Sequence, residues 1–504
     1  MQKLLLNGTT LSIDELFLAS TSNVNISLAP STFSKINASR KLVENWLAKN
    51  EKIYGVTTGV GIFSNVVIPI SKVEELQRNL IVSHSAGSGE LLPDEVIRGM
   101  LILRINALAK GYSGVRLELL NRMVDFFNSG IIPIIPSKGS VGSSGDLIPL
   151  SHLALCMIGL GKCKLDGKII SAKSALKKKN LTAIKLTAKE GLALINGTQM
   201  MTSYAGLIIK QAMDLLQLSD LACAMSVEAL KGTDTPFLPE LHKVRPHKGQ
   251  QTSAKNILSF LKGSEIRESH RENDDRVQDA YSLRCAPQVH GASRDALNYV
   301  AKIIFTEMNS ANDNPLIFAK TKKHLEGGNF HGQPIALAMD FATIALSELA
   351  NISERRIDKM VSGWWKELPR FLTNKGGLNS GLMMTQYLAA SLVSENKVLS
   401  HPASVDSIPT SGNQEDHNSM GSISAQKCWE VLQNVQTVIA IEFLVAASAI
   451  DFYRPMKCGK ITERAYKFIR KNIKSSQNDR VLSTEIETAL NLVRSGKLLN
   501  SISK

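Results

Sequence analysis

Aromatic side chains make up only 5% of this 504-residue chain, which speaks against a β-sandwich or barrel, whose strands draw on aromatic and β-branched residues. Its six cysteines, Cys156, Cys163, Cys223, Cys285, Cys428 and Cys458, include no Cys-x-x-Cys pair, so zinc and thioredoxin-type chemistry have no support and no metal site is expected. Several lie in apolar helical contexts, where a free thiol packs as a small hydrophobe, and a reducing, cytoplasmic compartment is the expectation. Met1–Asp14 hold a three-leucine run and nothing resembling a signal-peptide core. The most apolar later stretches, Ile335–Leu349 and Val438–Ile450, carry Asp340, Glu348 or Glu442 and read as buried bundle helices rather than membrane spans. Repeats at a fixed period are not evident.

Charge is present but not concentrated. Lys and Arg total 59 against 45 Asp and Glu, a net charge of +14. The densest basic run, Lys177-Lys178-Lys179, is short and has no aromatic interleaving, so a solvated surface is expected rather than a nucleic-acid face. A positive field of this kind also gathers anionic substrates.

Hydrophobic residues reach 43%, ample for a large core in a chain longer than most single domains. The richness in Leu, Ala and Ile favours packed helices. Residues 1 to about 200 mix short elements with helices: Leu4–Asn7 and Leu11–Ile13 suggest a small strand pair, and Asp94–Lys110 and Arg116–Asn128 read as helices stopped by Gly111 and Gly130. Thr187-Ala-Lys-Glu190 has capping-box spacing. Beyond it the pattern predicts long helices at about 199–231, 287–311, 334–361, 384–397 and 422–450. The polar 242–275 region reads as a long surface excursion, and 461–504 as peripheral helices. The expected fold is mainly α: an elongated helical bundle over 201–504, with a smaller mixed part over 1–200.

The most informative stretch is Gly139-Ser-Val-Gly-Ser143-Ser144-Gly145-Asp-Leu-Ile-Pro149. A Gly/Ser run is ordinarily a turn, and no Gly-Lys-Ser/Thr ending follows to make it a phosphate loop. It also permits a rarer chemistry, because glycines let the backbone fold tightly on itself. If the Gly145 nitrogen reaches the Ser143 carbonyl carbon, a five-membered ring closes with loss of water. Loss of the Ser144 hydroxyl as a second water leaves an exocyclic methylidene. The product is an electrophile, which no ordinary side chain provides.

Other segments carry chemistry less specifically. In Ile53-Tyr54-Gly55-Val-Thr-Thr-Gly59-Val-Gly61, Tyr54 is either a packed turn residue or a phenol base, and a base needs a positive charge or dipole to lower its ordinary pKa. Gln278, Tyr281 and Arg284 stand at offsets of three, and Arg284 suits either a salt bridge or a bidentate carboxylate clamp. Asn309–Pro315 and Gly327–Pro334 are polar turns beside long helices, and Gln414-Glu415-Asp416-His417 lacks metal-ligand spacing.

Taken together, these segments resemble the ammonia-lyase and aminomutase family that builds its own methylidene-imidazolone electrophile, and the resemblance spans nearly the whole chain. It implies a 4-methylidene-imidazol-5-one (MIO) closed from Ser143, Ser144 and Gly145, with no external cofactor. It also implies a β-proton base at Tyr54, a carboxylate clamp at Arg284, positioning by Asn196 and Tyr281, and Gln278 and Phe330 lining the site. The Ser83-His84 pair after Gln77-Arg78-Asn79-Leu80, together with Glu415, resembles the histidine-deaminating branch, in which these groups meet the imidazole nitrogens. Urocanate and ammonia would be the products, and a homotetramer with sites built from more than one subunit the assembly. Two features differ: Ser143 stands where most members have alanine, and His331-Gly-Gln-Pro334 and Cys285-Ala286 look closer to tyrosine lyases and aminomutases. A tyrosine or phenylalanine lyase, or an aromatic aminomutase, is therefore the alternative. A non-catalytic basic helical protein is the rival from outside enzymology.

Overall fold

The computed structural model describes residues 3–272, 274–476 and 478–502, and they are predominantly helical. They form two compact units: residues 1–210, 301–340 and 402–426 make one, and 211–300, 341–401 and 427–504 the other. A single cut near residue 200 does not describe this division, because two later segments return to the N-terminal unit. Segment 402–426 is held there by hydrogen bonds to the Ser-Ser-Gly loop: Met420 N to Val141 O at 2.9 Å and Ser422 Oγ to Ser140 O at 2.6 Å.

The first unit contains every strand among the described residues. Lys3–Leu6 pairs in parallel with Asn25–Leu28, with Leu4 opposite Ile26. The Leu11–Ile13 strand expected as its partner is instead a helix start. Ser12 caps the Ile13–Thr21 helix, accepting from Glu15 N at 3.2 Å while its own N–H donates to Glu15 Oε2 at 2.8 Å, a complete capping box. Ser88–Leu91 pairs antiparallel with Pro136–Lys138, and Ile132–Pro133, Lys162–Leu165 and Lys168–Ser171 form a three-stranded antiparallel sheet. These short sheets flank the Ser-Ser-Gly loop and fix where it enters. The box expected at Thr187–Glu190 is only half formed. Glu190 Oε2 accepts from Thr187 N at 2.9 Å, but the helix Glu190–Ile195 is preceded by Lys189 at φ +73°.

The long helices stand where apolar periodicity places them: Gln199–Ala229, Ala286–Met308, Gln333–Val361, Met383–Leu399 and Gly421–Ile450. Two stretches, Gln333–Val361 and Gly421–Tyr453, are long and apolar enough to cross a membrane, yet most of each is buried inside the protein. Their charges have internal partners. Arg356 Nε meets Glu442 Oε1 at 2.6 Å with both side chains fully buried, and Asp340 Oδ2 accepts from Ser404 N at 2.7 Å.

The expected 242–275 excursion is replaced by helices, chiefly Lys248–Leu261 with Ala254, Ile257 and Leu261 buried. This helix approaches its neighbour backbone to backbone: a Cβ on Gly249 would lie 2.1 Å from Gly291 O.

Candidate active site

The Ser-Ser-Gly loop is compressed from both ends. Gly142 and Gly145 adopt φ +70° and +73°, the left-handed region that favours glycine. A Cβ on Gly145 would stand 2.1 Å from Gly197 O, and one on Gly142 would stand 2.2 Å from Ser419 Oγ. Asp146 N donates to Gly197 O at 2.7 Å, and Ser419 Oγ donates to Gly142 O at 3.0 Å. No other residue type fits at 142 or 145, and glycines in this conformation on either side of Ser143-Ser144 permit the close backbone fold that five-membered ring closure needs. The residues present therefore fit the chain-derived electrophile.

Asp146, to which the sequence reading gave no role, anchors the loop. Its buried carboxylate accepts from Met200 N at 2.9 Å, Met201 N at 3.0 Å and Ser140 Oγ at 3.0 Å. Burial pushes its pKa up to about 7, against the lowering effect of these donors. Only its place one residue after Gly145 could have signalled it.

Ser144 opens into a cavity of about 580 Å³. Its hydroxyl donates to Glu415 Oε1 at 3.0 Å, and its carbonyl accepts from Asn196 Nδ2 at 3.1 Å. Asn196 ends the short Glu190–Ile195 helix, which sets the amide's direction. The helix Val73–His84 presents Leu76, Asn79, Leu80, Ser83 and His84 to the same cavity, at the three- and four-residue spacing of one helical face. Ser83 Oγ and His84 Nδ1 lie 3.1 Å apart, and desolvation lowers the His84 pKa, favouring the neutral ring. The second Glu415 oxygen accepts from Thr410 Oγ1 at 3.0 Å.

Tyr54 completes this wall, its hydroxyl accepting from Gly61 N at 3.1 Å. Burial raises its pKa, the Gly61 N–H opposes the rise, and the charges of Glu415 and Glu326 add to it. The lowering that a phenol base needs is thus not supplied by this wall. Among the described residues, no lysine or arginine lines the cavity.

Five residues from the sequence reading therefore share the cavity with Ser144: Tyr54, Ser83, His84, Asn196 and Glu415. Ser143 and Gly145 are buried in the loop behind it. Phe330 belongs to the same unit and is half-buried without lining the cavity. Gln278, Tyr281 and Arg284 belong to the second unit. There Tyr281 begins a four-residue helix, is 70% exposed, and has the Arg284 guanidinium 4.4 Å from its ring centroid. Gln278 precedes that helix, so the single helical face considered for the three residues does not form. A larger cavity of about 730 Å³ within the second unit holds Asp234 and Glu268, but Arg267 and Arg271 already pair with them. Among the described residues no group of three or more His, Cys, Asp or Glu side chains is arranged for a metal ion. The His417 ring stacks on His331 at 5.7 Å.

A glycine-serine loop turned by two left-handed glycines, with an amide on its carbonyl and a phenol lining the same cavity, fits a lyase that makes its electrophile from its own backbone. The chain belongs to the aromatic amino acid lyase family, whose model matches residues 11–471. It is 48% identical over 504 residues to the histidine ammonia-lyase of Alkaliphilus oremlandii, covering all of this chain and 99% of that one. The crystal structure of histidine ammonia-lyase from Trypanosoma cruzi superposes with a TM-score of 0.93 at 43% identity, covering 100% and 95% of the two chains. Tyrosine aminomutase from Streptomyces globisporus superposes with a TM-score of 0.94 at 37% identity, covering 99% and 98%. The helical fold is that of this family, whose electrophile is an autocatalytically formed MIO with no external cofactor.

Proposed function

We propose that this chain deaminates L-histidine non-oxidatively to urocanate and ammonia, as the first step of histidine breakdown. The observation that carries the reading is the meeting of His84, Glu415 and Ser144 in one cavity, an imidazole-recognising pair beside the electrophile's own serine. The MIO closed from Ser143, Ser144 and Gly145 supplies the electrophilic carbon that turns the substrate's amine into a leaving group. Tyr54 Oη takes the β-proton. Asn196 Nδ2 donates to the Ser144 carbonyl oxygen, where negative charge develops. Glu415 accepts from one imidazole nitrogen and His84 meets the other, with Ser83 holding the His84 ring.

The remaining roles come from other copies of the chain, in a cytoplasmic homotetramer. The cavity's lining lacks the cation that a substrate carboxylate and an ionised Tyr54 both require, and Arg284 supplies it from a second subunit. Tyr281 orients the reacting groups, and Gln278 and Phe330 close the site. Association is supported by an apolar stripe on the Gln333–Val361 helix, where Leu337, Phe341 and Ile344 are 55%, 43% and 45% exposed. Deamination or 2,3-amino shift of tyrosine is the second reading, favoured by the likeness to the tyrosine aminomutase fold and by Cys285-Ala286. Urocanate absorbance after mixing with L-histidine, with L-tyrosine and L-phenylalanine in parallel, separates the two. A rise with histidine alone is expected. Turnover of tyrosine alone would overturn the roles given to His84 and Glu415.

A further inference from the structure

Bonded to the main chain of Asn196, and not itself lining the cavity, is a fully buried arginine with no carboxylate of its own among the described residues. Arg104 Nη1 donates to the Asn196 main-chain oxygen at 2.8 Å and to Gln199 Oε1 at 2.9 Å. Its Nε and Nη2 are buried with no hydrogen-bond partner among the described residues. Asp313 is the nearby acid, and it is already paired with the equally buried Lys189 at 2.7 Å. The cluster of Arg104, Lys189 and Asp313 thus leaves one positive charge uncompensated. Desolvation lowers the Arg104 pKa to about 10, which leaves it charged at neutral pH. A charge kept dry and unpaired is costly and calls for a reason.

The geometry supplies one. Residues 196–197 are gripped from two sides, by Asp146 N on Gly197 O at 2.7 Å and by Arg104 on Asn196 O. Position 197 has room for Arg104 only as glycine, since a Cβ there would lie 2.3 Å from Nη1. The Asn196 side chain has no second anchor: its Oδ1 is buried without a partner, so only the backbone aims its Nδ2 at the Ser144 carbonyl. We propose that Arg104 is a positioning residue, which through the Asn196 main chain aims that amide at the Ser144 carbonyl oxygen and keeps a fixed positive charge behind it. Negative charge gathering on that oxygen during turnover then meets a preorganised donor in a water-poor setting. The inference rests on the proposed lyase reading of the site.

The test compares Arg104→Gln and Arg104→Lys with the wild type in three readouts: intact mass, the near-ultraviolet band of the ring, and kcat against KM for histidine. Arg104→Gln is expected to close the ring, so its mass equals that of the wild type apart from the substitution. Its band moves to shorter wavelength, because a positive charge beside a conjugated carbonyl lowers the excited state. Its kcat falls about 100-fold with KM little changed, as for a small misplacement of a reacting geometry. Arg104→Lys keeps the charge in the same pocket, recovers part of kcat and most of the band position, and serves if the glutamine variant fails to fold. An unmoved band with wild-type kcat in Arg104→Gln overturns the proposal, as does a lysine variant that recovers nothing over glutamine, a change confined to KM, or a folded variant that leaves the ring unclosed. Failure of the lyase reading shows separately, as a wild-type protein that releases no urocanate.

Discussion

Glu415 is bonded at both oxygens, to Ser144 and to Thr410, yet it faces the cavity and its charge reaches Tyr54. Glu415→Gln replaces the charged acceptor for an imidazole N–H by a neutral amide that can also turn its NH2 to the ring, and kcat/KM for histidine should fall roughly 10- to 100-fold, the worth of a hydrogen bond to a charged group. Binding of an amino acid without an imidazole should change far less, and equal losses would contradict the assignment. The same substitution removes one of the charges that raise the Tyr54 pKa. A phenol that acts as a base works ionised, so the rate climbs as pH rises through its pKa. Losing a negative neighbour favours ionisation, and this limb of the pH profile should move to lower pH in the variant. At this scale the residues that share the cavity were readable, because the glycines around Ser143-Ser144 form a local word and the Ser83-His84 pair stands out by family resemblance. Asp146 and Arg104 were not, because their roles consist of contacts to residues 54 and 92 positions away along the chain.

The long helices were legible because each carries an apolar face over many turns. The helix Lys248–Leu261 was not, because its sequence KGQQTSAKNILSFL is largely polar. It is packed through Ala254, Ile257 and Leu261 and through the close approach of Gly249 to Gly291, two glycines distant in sequence whose meeting no local pattern announces. The strand expected at Leu11–Ile13 was lost to the Ser12–Glu15 capping box, which starts a helix there. The helices Gln333–Val361 and Gly421–Ile450 are tied by the bidentate Arg356–Glu442 pair, with Ser226 and Ser353 donating to the same carboxylate at 2.7 and 2.6 Å. Glu442→Gln would strand a buried guanidinium and should cost about 3–5 kcal/mol in urea unfolding. Replacing both partners, Arg356→Met with Glu442→Leu, should recover most of that loss. A single variant as stable as the wild type would show that the pair contributes nothing to the bundle.

For the whole molecule, the cavity that holds Tyr54 and the helix that holds Arg284 belong to different compact units, and the proposed reaction needs both residues at one substrate. Tyr54→Phe and Arg284→Ala should each be inactive alone. Co-expressed in one cell, they should recover part of the activity, because in the proposed assembly a mixed oligomer would contain sites with an intact tyrosine from one chain and an intact arginine from another. No recovery in purified mixed oligomers would place both residues in a single chain's site. The central claim, that the protein makes its electrophile from its own backbone, is tested most directly by the intact mass of the purified chain. The account predicts a mass two waters below that of the sequence, restored to the full encoded mass in Ser144→Ala with loss of urocanate release. A wild-type chain of full mass that still deaminates histidine would contradict it.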